Sequence, residues 1–131
     1  MADKPRLDTA LVQEYVRVAH GDLDRTRELI GREPALANAA WDWGGGDWET
    51  GLGAAAHVGR RDIALFLLEH GARMDIFAAA MLGHLDVVRA VIAAIPEARN
   101  WCGPHGIALS THAEMGGAAA VVEFLRGLGG E

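Results

Sequence analysis

Cysteine is nearly absent. The single Cys102 excludes an internal disulfide and any zinc site built from several thiolates. Clustered positive charge is also missing. Twelve Lys and Arg stand against eighteen Asp and Glu, the formal net charge is −6, and only Arg60 and Arg61 adjoin. Phosphate backbones and anionic membranes are bound through grouped basic residues, so neither nucleic acid nor a membrane is the expected partner. Long apolar runs are lacking too: stretches such as "IFAAAML" at 76–82 fall far below the roughly 20 residues needed to cross a bilayer. The opening "MADKPRLDTALVQEYV" is polar and amphipathic rather than a charged head before an apolar core, which makes the cytoplasm the expected location. No G-x-S-x-G, H-E-x-x-H, P-loop or dinucleotide fingerprint occurs.

What is present is repetition. At 131 residues, half of them apolar, the chain suits one domain spanning 1–131. "GDLDRTRELI" at 21–30 returns as "GHLDVVRAVI" at 83–92. Gly21, Leu23, Asp24, Arg27, Ile30, Pro34 and Asn38 recur as Gly83, Leu85, Asp86, Arg89, Ile92, Pro96 and Asn100, each 62 residues on. Further copies of the pattern lie at 54–75 and 111–129, where small residues, a glycine and a strongly apolar helix follow in turn. Ile63, Leu67 and Leu68 fall at helical spacing, as do Val87, Val91 and Ile92, then Val121, Phe124 and Leu125. The pattern predicts four helix-turn-helix units, with an inner helix of small residues and an outer helix of bulky ones. One such unit cannot bury its apolar face; stacked units can.

The segment "ETGLGAAAHVGRRDIALFLLEHGARMD" at 49–75 resembles an ankyrin repeat through Thr50, Leu52, Ala55, Ala56, Gly59, Leu67, Leu68, Gly71 and Ala72. "AAMLGHLDVVRAVI" at 79–92 adds Ala79, Ala80, Gly83, His84, Val87 and Val88. The likeness covers about 11 to 129 and extends to short bacterial ankyrin proteins with similar "WET…GAAAHVG" and "GPHGI" segments. It implies an all-α ankyrin-repeat solenoid of about four repeats, near 8–39, 40–75, 76–100 and 101–131, with two β-hairpin-like fingers. The usual T-P-L-H turn is "TGLG" in the second repeat and "IALS" in the fourth, so those turns lack the proline that preorganises a helix start.

Gly21, Gly59, Gly83 and Gly116 are spaced 38, 24 and 33 residues apart, against an ankyrin period near ~33. The gain lies in "WDWGGGDW", the loss between Asp75 and Ala79. Fingers are therefore expected at 41–49 and 101–106, with a fingerless repeat between them and a notch floored by its inner helix. Ankyrin proteins contact partners through finger tips and the two positions before the signature glycine. By that resemblance the surface comprises Asp47, Trp48, Glu49, His57, Val58, Met81, Leu82, Trp101, Pro104, His105, Glu114 and Met115.

Two functions from different classes fit these residues. The leading one is a binding module holding a protein or peptide partner in the concave groove. The other is a small enzyme or small-molecule binder, with His57 as general acid or base and Asp47 or Glu49 orienting it. The triple glycine at 44–46 reads as a hairpin turn, because no lysine or helix start follows it. Trp41, Trp43 and Trp48 either pack across their own finger or contact a ligand. His112 replaces an inner-helix alanine and is expected as a packed, hydrogen-bonded core histidine, while His105 shapes its turn. None of the short spacings that mark a zinc site occurs, so neither a metal nor a cofactor is expected. The final "RGLGGE" carries no polar cap over the last repeat, which leaves a homodimer open.

Overall fold

Runs of glycine and alanine alternate with runs of branched and aromatic side chains. Each becomes a different kind of helix in the computed structural model, which describes residues 4–129. The helices come in four pairs: α1 (Thr9–Val18) with α2 (Leu23–Arg32), α3 (Gly51–His57) with α4 (Arg61–Glu69), α5 (Ile76–Leu82) with α6 (Leu85–Ala94), and α7 (Leu109–Met115) with α8 (Ala119–Leu128). The first members stack in order, α1 on α3, α3 on α5 and α5 on α7, while α2 packs on α4 and α6 on α8.

Helix starts and stops follow from local chemistry. Thr50 Oγ1 accepts from Gly53 N at 2.9 Å and Asp75 Oδ1 from Ala78 N at 2.8 Å, satisfying backbone donors at the N-termini of α3 and α5. Gly83 ends α5 in the left-handed region, at φ 82°, where a side chain would be strained. The duplicated prolines open matching 3-10 turns, Pro34–Asn38 and Pro96–Asn100. Asn38 then bridges to the second pair: its amide donates to Gly71 O and its carbonyl accepts from Arg73 N, both at 2.8 Å.

Small residues let the inner helices approach closely. Gly51, Gly53 and Ala54 to Ala56 are buried in α3, as are Ala78 to Ala80 in α5. A Cβ on Gly116 would stand 1.9 Å from the Met81 carbonyl oxygen. The core forms two adjoining clusters, one around Tyr15, Leu29, Leu36, Leu52, Ile63 and Leu67, the other around Val88, Ile92, Leu109 and Val121.

Strand β1 (Ala40–Asp42) pairs antiparallel with β2 (Trp48–Thr50), setting Trp41 opposite Glu49. The triple glycine turns the hairpin, with φ of 137°, 63° and 87° at Gly44, Gly45 and Gly46. Asp42 Oδ1 accepts from Gly44 N and Gly46 N, pinning the tip. No strand pair lies between α4 and α5 among the described residues, so the third helix pair lacks a finger.

Two expectations need correction. The 101–106 finger is hairpin-like at one antiparallel bridge only, Cys102 with Ala108, which flanks the 3-10 turn Pro104–Gly106 in place of two strands. Pairing stops at that bridge because the Pro104–Gly106 turn between the flanks, with no N–H on Pro104 and with His105 at φ 61°, is not extended. Met81 and Leu82 are not groove residues either; both are buried, because α5 lies between α3 and α7 and Gly116 seats directly on Met81. No described helix is long and apolar enough to cross a membrane.

The close approach at Gly116 predicts that Gly116→Ala destabilises the protein by about 3 kcal/mol, since backbone rather than a flexible side chain must move. Gly31→Ala, inside α2 with open space around it, should instead stabilise by roughly 0.5–1 kcal/mol. Urea unfolding of the two variants checks the contrast, and equal effects would contradict this packing.

Candidate functional site

Strand alternation sends neighbouring side chains of β2 to opposite sides. Trp48 is 62% exposed whereas Glu49 is 1% exposed. The Glu49 carboxylate enters a space where four segments converge. The Trp43 indole Nε1–H, from the same hairpin, donates to Glu49 Oε1 at 2.8 Å. His20, just beyond the end of α1, places Nε2 3.2 Å from Oε1. His57, the last residue of α3, places Nε2 2.9 Å from Oε2, and His105, from the 3-10 turn, places Nε2 3.3 Å from the same oxygen. The rings also face one another, with His57 centred 4.9 Å from His20 and 5.3 Å from His105, each edge to face.

The outer nitrogens hold two of the rings. His20 Nδ1 lies 3.0 Å from the carbonyl oxygens of both Val16 and Arg17. His105 Nδ1 lies 2.7 Å from Asp47 Oδ2, while His105 N donates to Asp47 Oδ1 at 2.8 Å. Asp47 thus clasps the turn from both backbone and side chain and holds His105 at φ 61°, a left-handed conformation uncommon for a residue with a Cβ. On the inner side the fit is incomplete. Glu49 Oε2 and His57 Nε2 are buried and 2.9 Å apart, yet neither makes an aligned hydrogen bond.

The electrostatics follow this geometry. Burial pushes the Glu49 carboxyl up, but contacts from His20 and His57 and the Trp43 N–H outweigh it and hold the pKa at about 2. The main-chain N–H of His105, and then its ring, keep the Asp47 carboxyl below the usual range. Both carboxylates are therefore charged at neutral pH.

Beyond the Asp47–His105 clasp lies a cleft of about 370 Å³ between the hairpin and the 101–106 segment. Gly46, Asp47 and Trp48 form one wall, Cys102, Gly103 and Pro104 the other, and Asp75 and Phe77 lie at the start of α5. It lies where the notch was expected, between the two finger segments, but Met81 and Leu82 are not in its lining. The hairpin divides it from the carboxylate centre, with Trp48 on the cleft side and Glu49 within.

Of the residues expected at a site, the structure gathers Asp47, Glu49, His57 and His105, and it turns Trp48 into the cleft. Met81 and Leu82 are withdrawn into the core. Val58, Trp101, Glu114 and Met115 lie outside the cluster, with Met115 half exposed. His112 is a buried core histidine, its Nδ1 2.8 Å from Ala108 O. Although no metal was expected from sequence spacing, the fold brings one potential ligand atom each from His20, Glu49, His57 and His105 within 4.8 Å of the others, a grouping that could hold an ion. These residues are distant in sequence, so no short spacing announces them. Sequence reasoning missed His20, and it treated Trp43 as packing or contact rather than as a donor to Glu49. A signal for His20 existed: it lies one residue before Gly21 and His57 two before Gly59, the two positions that the ankyrin resemblance marked as expected contacts.

Comparisons with family models, curated proteins and solved structures return no match for this chain.

The geometry has a pH consequence. The neighbouring Glu49 carboxylate raises the His20 pKa above its ordinary 6.5. Such a group stabilises the fold fully below pH 6.5, and this contribution is lost as pH rises through its folded value. Burial lowers the His112 pKa, so its contribution is present above 6.5 and lost on the acid side instead. In buffer containing EDTA, Tm should fall as pH rises above 6.5, and Glu49→Gln should flatten that slope. Thermal melts across the neutral-to-alkaline range check this; equal slopes in both proteins would show that Glu49 does not set the His20 pKa.

Proposed function

We propose that the chain is a small-ligand-binding protein built on an ankyrin-type solenoid, with Glu49 and the three imidazoles around it as the functional centre. The observation carrying this reading is a fully buried carboxylate met by side chains from three of the four helix pairs and their turns. Desolvating a carboxylate costs several kcal/mol, and an apolar group of similar volume is often neutral or stabilising in its place. An apolar core in its place could therefore be as stable as the Glu49 cluster. Costly, electrostatically strained groups gathered near a surface are characteristic of binding and catalytic sites.

The ankyrin-type assignment draws support from the matching helix-and-3-10 copies at 21–38 and 83–100 and from the serial stacking of inner helices. A peptide groove has less support, because its apolar centre, Met81 and Leu82, is buried. One observation favours a second reading: Trp48 is 62% exposed over the cleft, so the hairpin tip offers an aromatic contact to a ligand or partner. In catalytic terms Glu49 is too acidic to trade protons near neutrality, so proton transfer would fall to the imidazoles.

Thermal shift against a panel of divalent cations, small carboxylates, phosphates and amines tests the reading. At least one member should raise the wild-type Tm by about 5 °C or more at saturation. Glu49→Gln should lose that response, read against its own Tm without ligand. A panel in which no member separates the two proteins would sink the reading.

A further inference from the structure

We propose that the ligand of this centre is a transition-metal ion, held by Nε2 of His20, His57 and His105 and by the Glu49 carboxylate. This rests on the preceding reading and names its ligand class.

The spacing of the imidazoles from Glu49 suits one ion, and the four ligand atoms all lie within 4.8 Å of one another. Imidazole nitrogens and carboxylate oxygens bound at about 2.0–2.1 Å in a tetrahedral shell stand roughly 3.3 Å from one another. The three Nε2 atoms lie 3.2, 2.9 and 3.3 Å from the Glu49 oxygens. Hydrogen bonds occupy similar distances, so orientation and proton count decide between them. The buried pair Glu49 Oε2 and His57 Nε2 is close but not aligned, leaving one polar atom on each side unsatisfied. Buried polar atoms without partners are rare in folded proteins, and these two converge on the same point.

Tautomers sharpen the case. The neighbours of His20 Nδ1 are carbonyl oxygens and that of His105 Nδ1 is a carboxylate oxygen. All are acceptors, so both Nδ1 atoms carry protons. In the neutral rings each Nε2 then directs a lone pair at Glu49, which itself presents only lone pairs. Those lone pairs oppose one another unless a proton or cation lies among them. A single divalent cation accepts every lone pair and leaves a net charge of +1, which Asp47 behind His105 balances. The Asp47–His105 pair is the carboxylate–histidine arrangement that commonly supports metal ligands, fixing the tautomer and the ring orientation. Trp43 plays the same part for Glu49.

The donor set narrows the ion. Three imidazoles and one carboxylate with no thiolate suit zinc, cobalt, nickel, copper or iron, whereas calcium and magnesium prefer all-oxygen shells. His20 and His105 are 28% and 34% exposed, so the ion can enter from solvent on that side. Its ligands would join the first, second and fourth helix pairs across the fingerless third.

The decisive experiment is calorimetric titration of EDTA-stripped full-length protein with Zn²⁺, with Mg²⁺ and Ca²⁺ as controls, and a parallel Co²⁺ titration read in the visible spectrum. One equivalent of Zn²⁺ should bind with proton release, Mg²⁺ and Ca²⁺ should not, and Co²⁺ should develop absorption bands of a nitrogen- and oxygen-ligated ion. His57→Ala should abolish stoichiometric binding. Asp47→Asn, which keeps an Oδ1 acceptor for the His105 N–H but removes the charge beside its ring, should weaken it roughly 10- to 100-fold. His84→Ala, on the exposed turn before α6, should bind as wild type does. Absence of stoichiometric Zn²⁺ binding, or equal losses from His84→Ala and Asp47→Asn, would overturn the assignment. If a non-metal panel member still needs Glu49, the ligand-binding reading survives and the metal falls; if nothing needs Glu49, both fall.

Discussion

The Glu49 carboxylate is the constraint around which the rest of the molecule is arranged. A buried anion is tolerated only when enough donors or cations surround it. Here they come from the end of α1, the end of α3, the hairpin and the turn before α7. Each element must hold its position for the others to be useful. The helix pairs thus act less as independent modules than as arms brought to a common point.

The scaffold makes this convergence possible through size. Glycine and alanine on the facing sides of α3 and α5 bring successive pairs so close that α7 also touches α3 past the fingerless third pair. Because no finger stands before α5, the turn at 103–106 can reach the hairpin tip, where Asp47 takes hold of His105. The shortened repeat and the clasp are two aspects of one geometry. The same closeness buries Met81 and Leu82, so a compact third pair and an open apolar groove exclude one another.

The helix pairs, their glycine stops, the proline-led 3-10 turns and the missing third finger were legible because each follows from local residue preferences and from a repeat spacing visible along the chain. Asp47, Glu49, His57 and His105 were legible as surface positions of that repeat. Their common orientation toward one point was not, since a strand's alternation tells which side Glu49 faces but not what awaits it there. The contact-position rule, extended to the first repeat, reaches His20. It does not reach Trp43, whose indole N–H finds its partner only when the hairpin folds.

The amino-acid order by itself determined the inventory: four amphipathic helix pairs, one long finger, one short repeat, and a set of imidazoles and carboxylates near the turns. These are matters of period and propensity, readable over a few residues. Tertiary structure alone decided that residues as far apart as 20 and 105 share one carboxylate, and that the expected groove is closed. The physical reason is that such distances depend on the accumulated stacking of helices, and small differences in side-chain volume at each step set where the last arm lands.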